Sequence, residues 1–281
     1  MTVAIVTDTA CDLTMERATA AGITVVPLII RFGDLEQKAL REMSVPEFYT
    51  RLLAPGSPHP STAACSPGDF VAAFTRRLDE GAEAVVCVTV GSRLSATYKA
   101  ALIARDAMPD RPVQIVDSET ATMCQGLLAL LAAEAAAAAE QADAIVRLLE
   151  SRRSDTRLFV MLDTLEYARR GGRISAAQAA IGSVLSVKPI ITIADGVVET
   201  IDKPRTLSRA RARLLELIVE RPVERLAVVH SMAPGIEDFR GEAIAATGVP
   251  PAGVITELLG PSIAPHSGPG ALGAAVLLRA G

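Results

Sequence analysis

Short apolar runs alternate with longer amphipathic stretches along the first half of this 281-residue chain. Val3 to Val6 is the first run, ends in Thr7-Asp8-Thr9, and predicts a strand. Asp12 is placed to cap a helix running to about Ala21. Ile23 to Ile30 reads as a second strand, broken by Pro27. Val45 to Leu53 reads as a short helix, with Ser44 as N-cap and Glu47 completing a capping box. A Pro- and Ser-rich loop from Ala54 to Thr62 leads to an amphipathic helix over Pro67 to Glu80. Ala84 to Val90 is a buried strand, Ser92 to Ala107 a helix and Val113 to Val116 a strand. Two helices follow, about Glu119 to Ala139 and Ala142 to Arg153.

Strands alternating with helices in this way predict a parallel sheet covered on both faces, hence a three-layer α/β/α domain over residues 1–155. After Arg153 the pattern changes. Leu158 to Leu162 reads as a strand, Thr164 to Arg170 as a short helix, and Ser175 starts another after Gly171-Gly172-Arg173. Val187 to Ile193 and Val197 to Ile201 flank Asp195-Gly196, a hairpin signal. An Arg-dense helix over Thr206 to Val219 precedes strands at Arg225 to Val229 and Gly253 to Leu258, with a helix near Ile236 to Ala246 between them. These elements predict a second, α+β domain with a mixed sheet over residues 156–281. At the end of the chain, His266-Ser-Gly-Pro-Gly-Ala-Leu-Gly273 reads as a glycine-rich turn feeding an apolar helix over Ala274 to Leu278.

Composition narrows the function. Half the residues are hydrophobic and only 3% are aromatic, with no Trp, so the cores are built from Ala, Val, Leu and Ile. A net charge of -4 offers no basic excess for a phosphate backbone, which excludes nucleic acid as the expected partner. The four cysteines form no C-x-x-C pair and no zinc-spaced cluster, so no metal is expected; Cys87, inside a strand pattern, reads as a buried small hydrophobe. Residues 1 to 7 enter a strand without a basic and apolar leader, and Leu127 to Ala139 is too short to span a bilayer and carries Glu134. A cytoplasmic protein with reduced thiols, no signal peptide and no integral membrane segment is expected.

No Walker A loop or G-x-S-x-G elbow is present. His266 is either a functional group at a turn whose glycines admit a ligand or a solvated surface histidine. Gly91-Ser92-Arg93-Leu94-Ser95-Ala96-Thr97 places three hydroxyls at a helix start. Capping by Ser92 needs one of them, whereas a cradle for a carboxylate or phosphate would use all. Ser61-Thr62, ahead of the next helix, allows the same two readings. Arg169 to Arg173 and Lys203-Pro204-Arg205 are basic turns, either solvated or anion-binding. His59, between prolines, reads as solvated, and His230, at a strand end, as structural.

Taken in order, these segments resemble the DegV family over essentially the whole chain. Val3 to Thr9 is similar to the family's opening strand and Asp-Ser-Thr turn, and Phe48-Tyr49 to its Phe-Tyr helix. Ser61-Thr62 through Ser66 resembles a Thr-Ser-Gln-Pro-Ser loop, and Gly91 to Thr97 resembles Ser-Ser-x-Leu-Ser-Gly-Thr. Asp117-Ser118, Gly171-Gly172-Arg173-Ile174-Ser175, Lys188-Pro189-Ile190, Asp195-Gly196, Arg205-Thr206 and His266-Ser267-Gly268-Pro269-Gly270 follow in family order. The departures are Ala63-Ala64-Cys65 for Ser-Gln-Pro, Gly91 for the first Ser, Ala96 for Gly, and a stretch from Asp34 to Met43 without the usual Tyr and Asp.

The resemblance implies a lipid carrier without catalytic residues or cofactor, binding a long-chain fatty acid between its two domains; a monomer is expected, although nothing in the sequence fixes the oligomeric state. Thr62, Ser92, Ser95 and His266 would hold the carboxylate. A separate fatty-acid kinase would phosphorylate it, with Arg173 and Arg205 meeting that kinase. Two other readings stay open: an acyl-ester hydrolase or transferase with Ser95 or Cys65 as nucleophile and His266 as base, and a lipid-responsive regulatory sensor.

Overall fold

The computed structural model describes residues 2–175 and 187–280, which form two compact units. The first comprises Met1–Ser154 with Gly260–Ser262, the second Asp155–Leu259 with Ile263–Gly281. The helix expected from Ser175 lies outside the described residues.

The first unit is built on a four-stranded parallel sheet in the order β2-β1-β6-β7. Its strands are β1 (Val3–Asp8), β2 (Ile23–Val26), β6 (Ala84–Thr89) and β7 (Val113–Asp117). Their Ala, Val and Ile runs are buried because helices cover the sheet, as parallel sheets require. α3 (Pro67–Asp79) and α4 (Thr97–Asp106) pack together against the sheet, as do α5 (Thr122–Ala137) and α6 (Ala142–Arg152). The chain lays β2 on one side of β1 and later adds β6 and β7 on the other. The order therefore switches between β1 and β6, whose carboxyl ends form the crevice where such sheets bind ligands.

The expected capping box on α2 (Val45–Leu52) is present: Ser44 accepts from the Glu47 amide, and the Glu47 carboxylate accepts from the Ser44 amide at 2.8 Å. Other local readings are corrected. Asp12 does not cap α1 (Met15–Ala20); Thr14 does, while Asp12 is buried with φ of 54° after the short turn Thr9–Cys11. Pro27 divides the expected second strand into β2 and β3 (Ile29–Phe32). β3 joins β4 (Leu35–Lys38) and β5 (Ser61–Ala63) in a separate antiparallel sheet. Ser61 and Thr62 are thus strand residues, and α3 is capped by Ser66, whose hydroxyl accepts from the Asp69 amide at 3.0 Å.

The second unit is a six-stranded mixed sheet, β10-β9-β8-β13-β11-β12. It contains β8 (Thr156–Met161), β9 (Ile190–Ala194), β10 (Val197–Asp202), β11 (Val223–His230), β12 (Ile255–Leu258) and β13 (Leu272–Leu278). The β9–β10 hairpin turns at Asp195-Gly196, both with positive φ, as the Asp-Gly signal predicts. α8 (Leu207–Ile218) and α9 (Ile236–Thr247) contribute Leu214, Leu217 and Phe239 to the core beneath the sheet.

The expected terminal helix is instead β13, a central strand with every residue buried between β8 and β11. Gly273 is part of the reason. It stands opposite Val160, and a Cβ there would overlap the Phe159 carbonyl oxygen of β8. The residue that lowers helix propensity is the one that lets the two strands approach.

Candidate functional site

Within the first unit, polar groups gather where β1, β6 and β7 end. The helix expected from Ser92 begins only at Thr97, and Ser92 caps nothing. Residues 91–96 instead form a turn in which the Gly91 carbonyl accepts from the Leu94 and Ser95 amides, at 2.9 and 3.1 Å. Two hydrogen bonds hold that turn against residues 117–120. The Ser92 amide donates to Asp117 Oδ1 at 3.0 Å, and the Gly91 amide donates to the Thr120 carbonyl at 2.8 Å. A Cβ on Gly91 would stand 3.0 Å from the Glu119 carbonyl carbon and the Thr120 nitrogen, so the turn is seated on bare backbone.

Ser95 is partly buried, whereas Ser92 is exposed. Ser95 Oγ lies 2.9 Å from Thr97 Oγ1 and accepts from the Thr97 amide at 3.2 Å. Cys65 adjoins this pair, its thiol bonded to Thr97 and facing the Val26 carbonyl at 3.6 Å. Burial pushes the Cys65 thiol well above its usual range, which leaves it protonated and unsuited to nucleophilic attack. Thr62, also partly buried, is paired with Ile30 across β5 and β3.

Within the second unit, the Gly171-Gly172-Arg173, Lys188-Pro189 and His266-to-Gly270 motifs converge. His266 closes a short helix, α10 (Ala264–Ser267), that packs on α7 (Glu166–Arg170). The two glycines at their contact leave no room for a Cβ with the facing side chains where they are. A Cβ on Gly171 would overlap His266 Nδ1, and one on Gly268 would overlap the Tyr167 ring, where φ is already +68°. Gly270 faces Asp163, whose carboxylate pairs with Lys188 at 2.5 Å.

Sequence reasoning missed Ser231, which follows β11 and is fully buried. Its hydroxyl donates to the Gly268 carbonyl at 2.5 Å and accepts from the Ala271 amide at 2.8 Å. Its carbonyl accepts from Gly270 at 2.6 Å, and its amide donates to the Ala271 carbonyl at 2.8 Å. Four hydrogen bonds from one serine fix the loop that carries His266. Neighbouring His230 is partly buried, and burial lowers its pKa below the ordinary histidine value. His59 is partly enclosed rather than solvated.

The basic turns differ in their partners. Arg169 and Arg170 both bind Glu166 at 2.7 Å, and with their hydrogen bonds foremost Glu166 is held at about 2. Arg173 is partly buried and donates to the Gly171 carbonyl at 2.5 Å, while Arg205 is exposed before α8. Among the described residues, no group of three or more His, Cys, Asp or Glu could hold a metal ion, and no helix is long and apolar enough to cross a membrane.

This arrangement defines a two-unit α/β protein with motif-bearing turns gathered at the strand ends of each unit. A family model described as "Uncharacterised protein, DegV family" matches residues 2–279, and the chain belongs to that family. A DegV domain-containing protein of Streptomyces coelicolor is 37% identical over 284 residues, covering 99% of each chain. One from Mycobacterium tuberculosis is 34% identical, covering 98% of this chain and 97% of its own. Among solved structures, a DegV-family protein from Thermus thermophilus, described for its fatty-acid binding, superposes with a TM-score of 0.89 at 30% identity, covering 99% of this chain and all of the other. DegV of Bacillus subtilis, described as a fatty acid binding protein, superposes at 0.85 with 30% identity, covering 99% of this chain and 100% of its own.

Proposed function

We propose that this protein binds a long-chain fatty acid and presents its carboxylate to a partner kinase for phosphorylation. The observation that carries the reading is likeness over essentially the full chain, at 30% identity, to two proteins described as binding fatty acids. The residue chemistry supports it. A carboxylate withdrawn from water needs hydrogen-bond donors, and Thr62, Ser95 and His266 are partly buried donors of that kind. Ser92, exposed and off the helix start, takes a lesser part than its neighbour Ser95. An alkyl chain contributes about 0.8 kcal/mol per buried CH₂, so a C16 chain gains on the order of 10 kcal/mol before ordering costs.

Native mass spectrometry of the purified protein tests lipid binding. The expected result is a mass excess of one fatty acid, released by organic extraction and absent from His266→Ala. A bare protein that takes up no C14 to C18 acid would overturn the reading. The carrier role is tested with Arg173→Ala and Arg205→Ala. Each is expected to retain fatty acid and to lose kinase-dependent acyl phosphate formation. Loss of the lipid itself would make these arginines structural.

A further inference from the structure

Asp8 is buried to 0% exposure at the end of β1, and its two oxygens hold two different turns. Oδ1 accepts from the Ala10 amide at 2.9 Å, within the turn after β1. Oδ2 accepts from the Val90 amide at 2.8 Å, immediately after β6. The carboxylate therefore bridges the two strand ends at which the sheet order switches. Val90 leads directly into Gly91, whose carbonyl accepts from the Leu94 and Ser95 amides. One buried charge is linked by backbone to the Ser95 hydroxyl.

We infer that Asp8 is a positioning residue for the Ser95 turn: its ionised carboxylate fastens Val90 to β1, and its protonation releases one of the two amides. An ionised carboxylate accepts at both oxygens, whereas a carboxylic acid turns one of them into a donor. An N–H facing that hydroxyl loses its acceptor, and the turn it belongs to loosens. The surroundings supply no cation to keep Asp8 ionised. The titratable groups acting on or near it are Cys11 and the buried Asp12 on and after the following turn, Cys87 on β6 and Cys65 before α3, the three thiols held neutral by burial. β2 carries no titratable group, α5 presents Cys124 and the amide of Gln125, and Asp69 on α3 is paired with Lys38 at 2.5 Å. Burial accordingly pushes Asp8 up to about 6, against three hydrogen bonds that hold it down, from the Val90 and Ala10 amides and the Gln125 side chain. The latch changes state close to neutral pH.

The inference rests on the fatty-acid reading for one of its two readouts only. The first is the pH titration of backbone amides in the ligand-free protein by NMR. Ala10, Val90 and Ser95 are expected to shift together with one midpoint near 6, and Asp8→Asn is expected to abolish that shared titration. The second is palmitate affinity. Asp8→Asn is expected to bind about tenfold more weakly than the wild type at pH 7.5, with the ratio closing toward one at pH 5. If Val90 titrates while Ser95 stays still, or if the affinity ratio is the same at every pH, Asp8 is structural and the inference falls. Should Asp8→Asn fail to fold, the wild-type amide titration still decides. Coupled amide titration in a protein that takes no palmitate would overturn the lipid reading and leave the latch standing.

Discussion

Gly171 lies directly against the imidazole of His266, so that a Cβ there would overlap Nδ1 and stand 2.8 Å from Cε1. The glycine has ordinary helical dihedrals, φ of -71° and ψ of -7°, so alanine meets no backbone objection. What it meets is the ring. Gly171→Ala is expected to leave the fold intact, to displace His266, and to weaken fatty-acid binding roughly tenfold, as a small steric shift in a preorganised site does. Titration calorimetry with palmitate beside His266→Ala checks this. Undiminished affinity would show that the imidazole does not hold the ligand.

Ser231 makes the second test of the same loop. Ser231→Ala removes the partner of the Ala271 amide and leaves the Gly268 carbonyl with the longer bond from Ser267 at 3.3 Å. Losing a buried hydroxyl with two good bonds costs roughly 2 kcal/mol. Urea denaturation is expected to show that loss, and fatty-acid affinity is expected to fall with it because the His266 loop is less well held. A stability change within experimental error would mean that water replaces the hydroxyl.

What was legible in the sequence was what local chemistry determines. The Ser44–Glu47 capping box and the Asp195-Gly196 hairpin need only neighbours in the chain, and both are present. The parallel strands were legible because burial on both faces leaves an uninterrupted apolar run. The same property misled at the end of the chain, since a uniform run such as Leu272–Leu278 carries no period to separate strand from helix. The helix start at Thr97 was misplaced because Asp117, 25 residues away, holds the Ser92 amide in a turn. His266, Ser95 and Thr62 could be named from motifs. Ser231 and Asp8 could not, because their partners stand 37 and 82 residues distant and only the fold brings them together.

Asp8 also sets a sign for the pH dependence of stability. Its folded pKa of about 6 lies above the ordinary aspartate value of 3.8, so the folded state binds its proton more tightly than the unfolded chain does. Its contribution to stability is therefore full below about pH 4 and is lost as pH rises through 6. Burial of the charge then costs on the order of 3 kcal/mol at pH 7. Denaturation at a series of pH values is expected to show wild-type stability falling relative to Asp8→Asn between pH 4 and 7. Parallel profiles for the two proteins would mean that Asp8 keeps an ordinary carboxylate pKa.

Gly91 is one of the positions at which this chain departs from the pattern it otherwise resembles, which has serine there. The departure has a steric counterpart in the fold. A Cβ on Gly91 would press at 3.0 Å on the backbone of both Glu119 and Thr120, and backbone yields far less readily than a side-chain tip. Glu119 is itself in the left-handed region, with φ of 54°, so the segment facing Gly91 already has an unusual conformation. Restoring serine must push the 91–96 turn away from the Asp117 segment, at the expense of the Gly91–Thr120 and Ser92–Asp117 hydrogen bonds. Gly91→Ser is expected to destabilise the protein by about 1–3 kcal/mol and to weaken fatty-acid binding by moving Ser95. Gly91→Ala separates the two contributions, since it adds the same Cβ without a hydroxyl that could make new bonds. Equal losses in both variants assign the effect to the Cβ. A Gly91→Ser protein as stable as the wild type would show that the Glu119–Thr120 segment yields, and that glycine at this position is not required by packing.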